Sequence, residues 1–414
     1  MSFALIATRD VLRLASTRSP LTAHGFVSDI LPPIVCYFAT AVLVLIPQTR
    51  WIRLALWPIT LFLAFRAALS TDFSMNDPRQ AFWNIDLALS MFCIATRTLE
   101  WTLPKQPIRR RHMNGKNPKI TSRSSHVLSN ALDLMINLRG HDWDWSDGLY
   151  VPPETRPTNS RTRFVLATVV SGIVHALTCG ALHTAVQTFS PSGIGSLNGG
   201  TIFDLSLSPP VRYFRSSIIA TMTAFAVYNV LQCGYELTTI AGIILLQQEH
   251  DQWPRAFDAP WTSTSLREFW GKRWHQWFRR TFVFLGARPF SYFGGRVGGI
   301  MGAFLASAVF HHLALLVLDE NAELWRMIVP FSMMGFGMIL ERVYMVVSGR
   351  KVGGWAGWVW TMFWLVLWGN FMVDAWAEAG MLGCSTILDS AAPVRGVVVH
   401  IITSFDHFLH QYAS

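Results

Sequence analysis

The chain has 414 residues, of which 51% are hydrophobic and only 14% charged. A soluble chain of this length would be expected to form two or three domains with a much more charged surface, so the composition points to an integral membrane protein. The formal net charge of +9 would suit nucleic acid in a soluble domain, but the basic residues sit in loops between apolar runs, which argues against a nucleic-acid partner.

Apolar runs of about 20 residues, the length needed to cross a bilayer, begin near Ile30, Ile52, Ala81, Phe164, Ser216, Val297, Trp325 and Trp355. They predict an all-α, polytopic membrane protein with about eight transmembrane helices. The 18 tryptophans and 28 phenylalanines fit a lipid-facing protein with aromatic anchors at its interfaces. At the start of the chain, MSFALIATRDVLRLAS has a very short apolar run and no clear small-residue cleavage site, so the first span is expected to act as the membrane signal. The five cysteines, Cys36, Cys93, Cys179, Cys233 and Cys384, follow no disulfide or zinc spacing.

Residues 104–163 form the longest polar stretch. Between Pro104 and His126 lie Lys105, Arg109, Arg110, Arg111, Lys116, Lys119 and Arg123 with no acid among them, so the positive-inside rule makes this a basic cytosolic loop. A short amphipathic helix is expected within it, near Val127 to Leu138. In the next apolar run His175, Cys179 and His183 recur every four residues. His175 and His183 are two turns apart, about 12 Å along a helix, too far to share one ion, so no metal is expected and interhelical hydrogen bonding or a place in a cavity wall is the simpler role.

The run from Ser216 continues to about Leu246, either as one long tilted helix or as two elements broken near Cys233-Gly234. Asn229, Gln232 and Glu236 step along one of its faces. Polar groups in hydrocarbon are rare and commonly functional, which makes all three candidates for lining a substrate cavity. Glu341 and Arg342 read as the mark of a helix end.

The segment SLREFWGKRWHQWFRRTF, Ser265 to Phe282, predicts an amphipathic helix in the membrane interface. Leu266, Trp270, Trp274, Trp277 and Phe278 project to one side, and Lys272, Arg273, Arg279 and Arg280 roughly opposite. The following span, Val297 to Leu318, carries small residues at steps of four, Gly295, Gly299, Ala303 and Ser307, and the next step is His311. Small residues at this spacing let a helix or ligand approach closely, so His311 is expected on an inner face, with His312 turned about 100° away. A nucleotide-binding glycine motif, a serine-hydrolase elbow and an HExxH pair are all absent from the sequence.

Together, Ser265, Leu266, Phe269, Trp270 and Trp274, followed by Ser307 and His311, resemble the Ser-Leu-x-x-Phe-Trp-x-x-x-Trp and Ser-Gly-x-x-His motifs of the wax synthase-like branch of the membrane-bound O-acyltransferases. Ala308 replaces the usual glycine, and His275 stands where the wider superfamily commonly has asparagine. The motif pair covers residues 265–312, within a catalytic motif region of residues 265–318 in a single multi-pass domain over residues 1–414. It implies acyl transfer from coenzyme A to an alcohol, with His311 as general base and His275 as hydrogen-bond donor to the oxyanion.

Trp270, Trp274, Ser307, Asn229 and His312 would line the substrate site, and Lys272, Arg273, Arg279 and Arg280 would meet the phosphates of coenzyme A. The histidine after Trp274 looks more like the fungal members, which acetylate terpenoid-like metabolites. The expected partners are acetyl-CoA as co-substrate, a lipophilic alcohol acceptor and membrane lipid, with no bound cofactor, in a multi-pass protein of the endoplasmic reticulum. Long-chain wax ester synthesis and a non-enzymatic membrane transporter are the alternatives.

Overall fold

The computed structural model describes residues 18–112, 119–120, 127–146, 148–386, 389 and 392–411. The apolar start of the chain and part of the basic loop, including Lys116 and Arg123, lie outside the described residues. The long helices are α1 (Leu31–Val44), α2 (Arg50–Ser70), α3 (Phe82–Thr102), α4 (Val127–Ile136), α5 (Arg161–Phe189), α6 (Pro209–Ile244), α7 (Arg288–Leu318), α8 (Trp325–Ser348), α9 (Gly354–Glu378) and α10 (Ala392–Gln411). Strand is confined, among the described residues, to two short pairs, Ser19–Pro20 with Thr71–Asp72 and Arg111–His112 with Lys119–Ile120. A helix satisfies its own backbone groups where lipid offers no partner, so the apolar runs become helices.

Seven helical segments are long and apolar enough to cross a membrane. The eighth expected span does form, as α3, but it carries Asp86, Arg97 and Glu100 and does not qualify as an apolar crossing. Arg97 instead donates to the backbone carbonyls of Leu134 at 2.7 Å and Asn137 at 3.3 Å. The run from Ser216 is one unbroken helix, α6, of 36 residues, with no break at Cys233-Gly234. The amphipathic helix of the basic loop is α4.

The chain divides into two compact units, one of Met1–Leu149 with Gln276–Asn321 and the other of Tyr150–His275 with Ala322–Ser414. In the first, α1, α2, α3 and α4 pack around Tyr37, Met91, Trp101, Leu134 and Trp143. Tyr37 and Trp101 stack with ring centroids 5.0 Å apart and an interplanar angle of 3°.

This unit also contains a helical hairpin over Arg279–Leu318, in place of the single span expected from Val297 to Leu318. Gly295, at φ 54° and ψ −140°, interrupts the helix, a conformation that glycine adopts without steric cost. The chain turns back at this point, because a Cβ on Gly286 would collide with the Gly302 carbonyl and one on Gly298 with the Phe290 carbonyl. Gly295 is therefore the tip of the hairpin and not the first member of a helical stripe. The surface that admits a neighbouring helix is formed by Gly298, Gly302 and Ala306 against Gly286 and Phe290. Arg279–Phe293, the first arm, is about 22 Å long at 1.5 Å per residue, too short to cross a bilayer alone.

In the second unit α5 and α6 form an extensive pair, α8 packs on α9, and α10 packs on α5. The helix α10 was not expected from hydropathy. It is tied to α6 by Arg215, whose Nε donates to Asp406 Oδ1 at 2.6 Å.

Candidate active site

The two halves of the motif belong to different units. Residues 265–275 are in the second and residues 276–318 in the first.

In the second unit the segment expected as one amphipathic helix is broken into pieces. Ser265, with φ −157° and ψ 153°, is an N-cap whose Oγ accepts from the Glu268 amide at 3.0 Å. One turn, Leu266–Glu268, leads into a five-residue π-turn, Phe269–Arg273. The Trp274 amide then donates to the Phe269 carbonyl at 2.9 Å, closing the wide turn, while Trp274 itself is extended at φ −74° and ψ 150°. Helix resumes only at Arg279. The projection that assigned one apolar and one basic face assumed a helix running through Trp274, so it does not describe this segment.

The π-turn gathers rings. Phe269 stacks on Trp274 at 5.5 Å, and Trp270 lies edge-on to both. Phe257 meets Trp274 at 5.1 Å and His275 at 5.5 Å, both edge-on. Trp270, Trp274 and His275 therefore form one aromatic cluster with Phe257.

The cations of the second unit have different surroundings. Arg273 donates from Nε to Glu268 Oε1 at 2.7 Å and from Nη1 to the Asp258 carbonyl at 2.8 Å, which ties it to the turn. Burial pushes the Glu268 carboxyl up, but the Thr264 amide, Arg273 and the Thr264 hydroxyl outweigh it and hold the carboxyl below the usual range. Lys272 is exposed, with Nζ 5.6 Å from the centre of the Tyr150 ring.

Glu341 is not a mere helix end. It is 8% exposed, and its carboxylate accepts from the Leu266 amide at 2.6 Å, the Arg267 amide at 3.1 Å and Trp360 Nε1 at 3.1 Å. A carboxylate at the first turn of a helix satisfies amides that have no partner within the helix. Its neighbour Gly337 leaves room for Leu266 and Trp364 against α8. Glu341 thus anchors the start of the motif from a distant part of the chain. The signal was in the sequence, since an acid inside an apolar helix requires partners, but nothing there identified the partner as the motif itself.

We expect Glu341→Ala to strand buried donors at a cost of about 1–3 kcal/mol each, lowering both the melting temperature and turnover, with Glu341→Gln intermediate because it keeps one carbonyl acceptor. An alanine variant that melts and turns over like the wild type would contradict this role.

In the first unit Ser307 and His311 are joined directly. His311 Nδ1 lies 2.8 Å from the Ser307 carbonyl oxygen. A carbonyl only accepts, so Nδ1 carries the proton and, in the neutral ring, Nε2 bears the lone pair. Phe310, 2% exposed, lies edge-on to the His311 ring at 5.5 Å and packs on Phe92, Phe278 and Phe282. His312 is the more buried histidine of the pair, at 8% exposure. Arg279 is exposed, whereas Arg280 pairs with Glu100 at 2.8 Å and covers the Trp145 ring at 4.6 Å.

The polar residues of α5 and α6 also meet. Asn229 donates from Nδ2 to the Phe225 carbonyl at 2.7 Å, which leaves its Oδ1 to accept from His175 Nδ1 at 2.7 Å. His183 Nε2 donates to the Leu382 carbonyl at 2.8 Å. The two histidines of α5 thus have separate hydrogen-bond partners, and among the described residues no cluster of three or more metal-ligating side chains occurs.

Residues 253–335 match the model of the membrane bound O-acyl transferase family. The match spans the motif region from Trp253 through the histidine pair into α8. Over that region the chain is similar to the membrane-bound O-acyltransferases, which together with its seven apolar helices supports an integral-membrane acyltransferase, an enzyme that takes an acyl donor and an acceptor.

Among its relatives, the acetyltransferase ple2 of Rhodocybe pseudopiperita is 24% identical over 353 residues, covering 81% of this chain and 85% of that protein. Acetyltransferase sirH of Emericella nidulans is 22% identical over 270 residues, 62% of this chain and 61% of that protein. The O-mevalon transferase yanI of Aspergillus niger is 27% identical over 161 residues, 36% of this chain and 34% of that protein. The chain therefore resembles fungal acetyltransferases over most of its length.

Proposed function

We propose that the protein transfers the acetyl group of acetyl-CoA to a hydroxyl of a lipophilic, terpenoid-like metabolite at the endoplasmic reticulum membrane. The observation that carries this reading is His311, whose Nδ1 is committed to the Ser307 carbonyl. The neutral ring therefore offers Nε2 as a base.

In the reaction His311 Nε2 takes the hydroxyl proton as the alcohol oxygen attacks the thioester carbonyl. The new C–O bond forms, the C–S bond breaks, and the proton passes to the departing coenzyme A thiolate. His275 donates a hydrogen bond to the carbonyl oxygen as negative charge develops on it. Ser307 orients His311 through its backbone carbonyl, and His312, turned about 100° away, supports the same helix by packing. Trp270 and Trp274 hold the lipophilic acceptor, and Asn229 holds His175 beside it. Lys272 and Arg279 meet the coenzyme A phosphates, and Arg273 keeps the π-turn in place through Glu268.

The donor is the part of the reading that experiment tests most readily. Acetyl-CoA should be used far better than palmitoyl-CoA by the purified enzyme. A site with an acyl tunnel gains roughly 0.8 kcal/mol for each buried methylene, so rates that climb steadily with chain length would move the assignment to long-chain ester synthesis.

A further inference from the structure

The carboxyl of Glu236 has no part in the reaction just described. It is 2% exposed and sits between α5 and α6. Its Oε1 accepts from Ser171 Oγ at 2.6 Å and from Gln232 Nε2 at 3.0 Å, and His175 Nε2 is 4.0 Å away. Its Oε2 finds no hydrogen-bond partner among the described residues. A polar atom buried in an apolar surrounding is costly unless something pairs with it. Beside Oε2 lies Gly172, where a Cβ would stand 3.5 Å from that oxygen.

The surroundings indicate what could pair with it. The Asn229 contact puts the proton on His175 Nδ1, so in the neutral ring Nε2 is an acceptor near the carboxyl. From His175 a row of rings leads away. Tyr228 meets His175 at 5.6 Å, Phe257 meets Tyr228 at 4.7 Å, and His275 meets Phe257 at 5.5 Å. One end of this row is polar and buried, its middle is aromatic, and its other end is a histidine assigned to the reaction.

We propose that Glu236 and His175 form a recognition site for a hydroxyl of the acceptor other than the one acylated, with Tyr228 and Phe257 against the hydrocarbon body. This rests on the acyl-transfer reading above. A hydroxyl suits the site because it pairs with a carboxyl oxygen in either protonation state and can donate to an imidazole nitrogen. The favoured acceptor is then a polycyclic or extended lipophile with at least two hydroxyls.

The test is equilibrium binding to the purified full-length protein in lipid nanodiscs, without acyl donor, using the labdane diol sclareol and its mono-hydroxyl counterpart manool. In the wild type the diol should bind about tenfold more tightly. Gly172→Ala places a methyl over Oε2 at an ordinary contact distance and in a conformation that favours alanine. It should abolish the preference while leaving manool binding in place. Glu236→Gln, nearly isosteric, should reduce the preference as well, and unchanged melting temperatures verify that both variants are folded.

Equal affinities in the wild type, or a preference that survives both substitutions, would overturn the proposal and leave an ordered water as the occupant of the site. Because no donor is present, this result is independent of whether acetyl-CoA is the true donor. Transfer from acetyl-CoA can fail while the diol preference stands, and the preference can fail while transfer stands.

Discussion

His311→Ala is expected to lower turnover by about a hundredfold or more, with the protein still folded and inserted. The reason is specific to the ring. With Nδ1 donating to the Ser307 carbonyl 2.8 Å away, the imidazole is held in one tautomer, and alanine removes the base without removing any backbone bond of the helix. The adjacent histidine provides the control. His312 is 8% exposed, and substitution there removes packing, so His312→Ala should cost stability more than turnover per folded molecule. A His312→Ala enzyme that is inactive beside an active His311→Ala enzyme would exchange the two roles. Two active single variants would remove the pair from the mechanism.

His275→Ala should lower turnover by about 10² to 10³, the usual loss on removing one donor to a developing oxyanion. The effect should fall mainly on turnover and not on the Michaelis constant, because an interaction that strengthens only in the transition state contributes little to ground-state binding. His275→Asn tests the role by chemistry, since an amide also donates a hydrogen bond and is the residue common at this position in the wider superfamily. Partial recovery in the asparagine variant is expected. An asparagine variant no better than alanine, with both defects in the Michaelis constant, would make His275 a wall of the aromatic cluster around Phe257 and Trp274.

Much of this was legible in the sequence. Runs of apolar residues announced the helices because a bilayer imposes a length and forbids unpaired backbone, and the spacing of Ser307 and His311 placed the two residues on one helical face. What could not be read was local geometry that depends on distant partners. The segment from Ser265 has helical periodicity, yet its π-turn and the extended Trp274 are set by Ser265, by Glu268 with Arg273, and by Glu341, which lies 75 residues from Leu266 in the chain. The stripe from Gly295 failed for a related reason. A glycine compatible with a helix is equally compatible with φ 54°, and only the collision of Gly286 with Gly302 requires the chain to double back. Of the network of Ser171, His175, Asn229 and Glu236, the last three were visible as isolated polar residues on two apolar runs, but periodicity within one helix does not identify the partner on another.

The most direct test of acyl transfer uses purified protein in sealed liposomes, given isotope-labelled acetyl-CoA and a lipophilic terpenoid alcohol. Label is expected in an ester of the alcohol, with free coenzyme A thiol released in equal amount and both lost with His311→Ala. Movement of the alcohol or of label across the membrane with neither ester nor thiol formed would contradict acyl transfer and identify the polar faces as a permeation path.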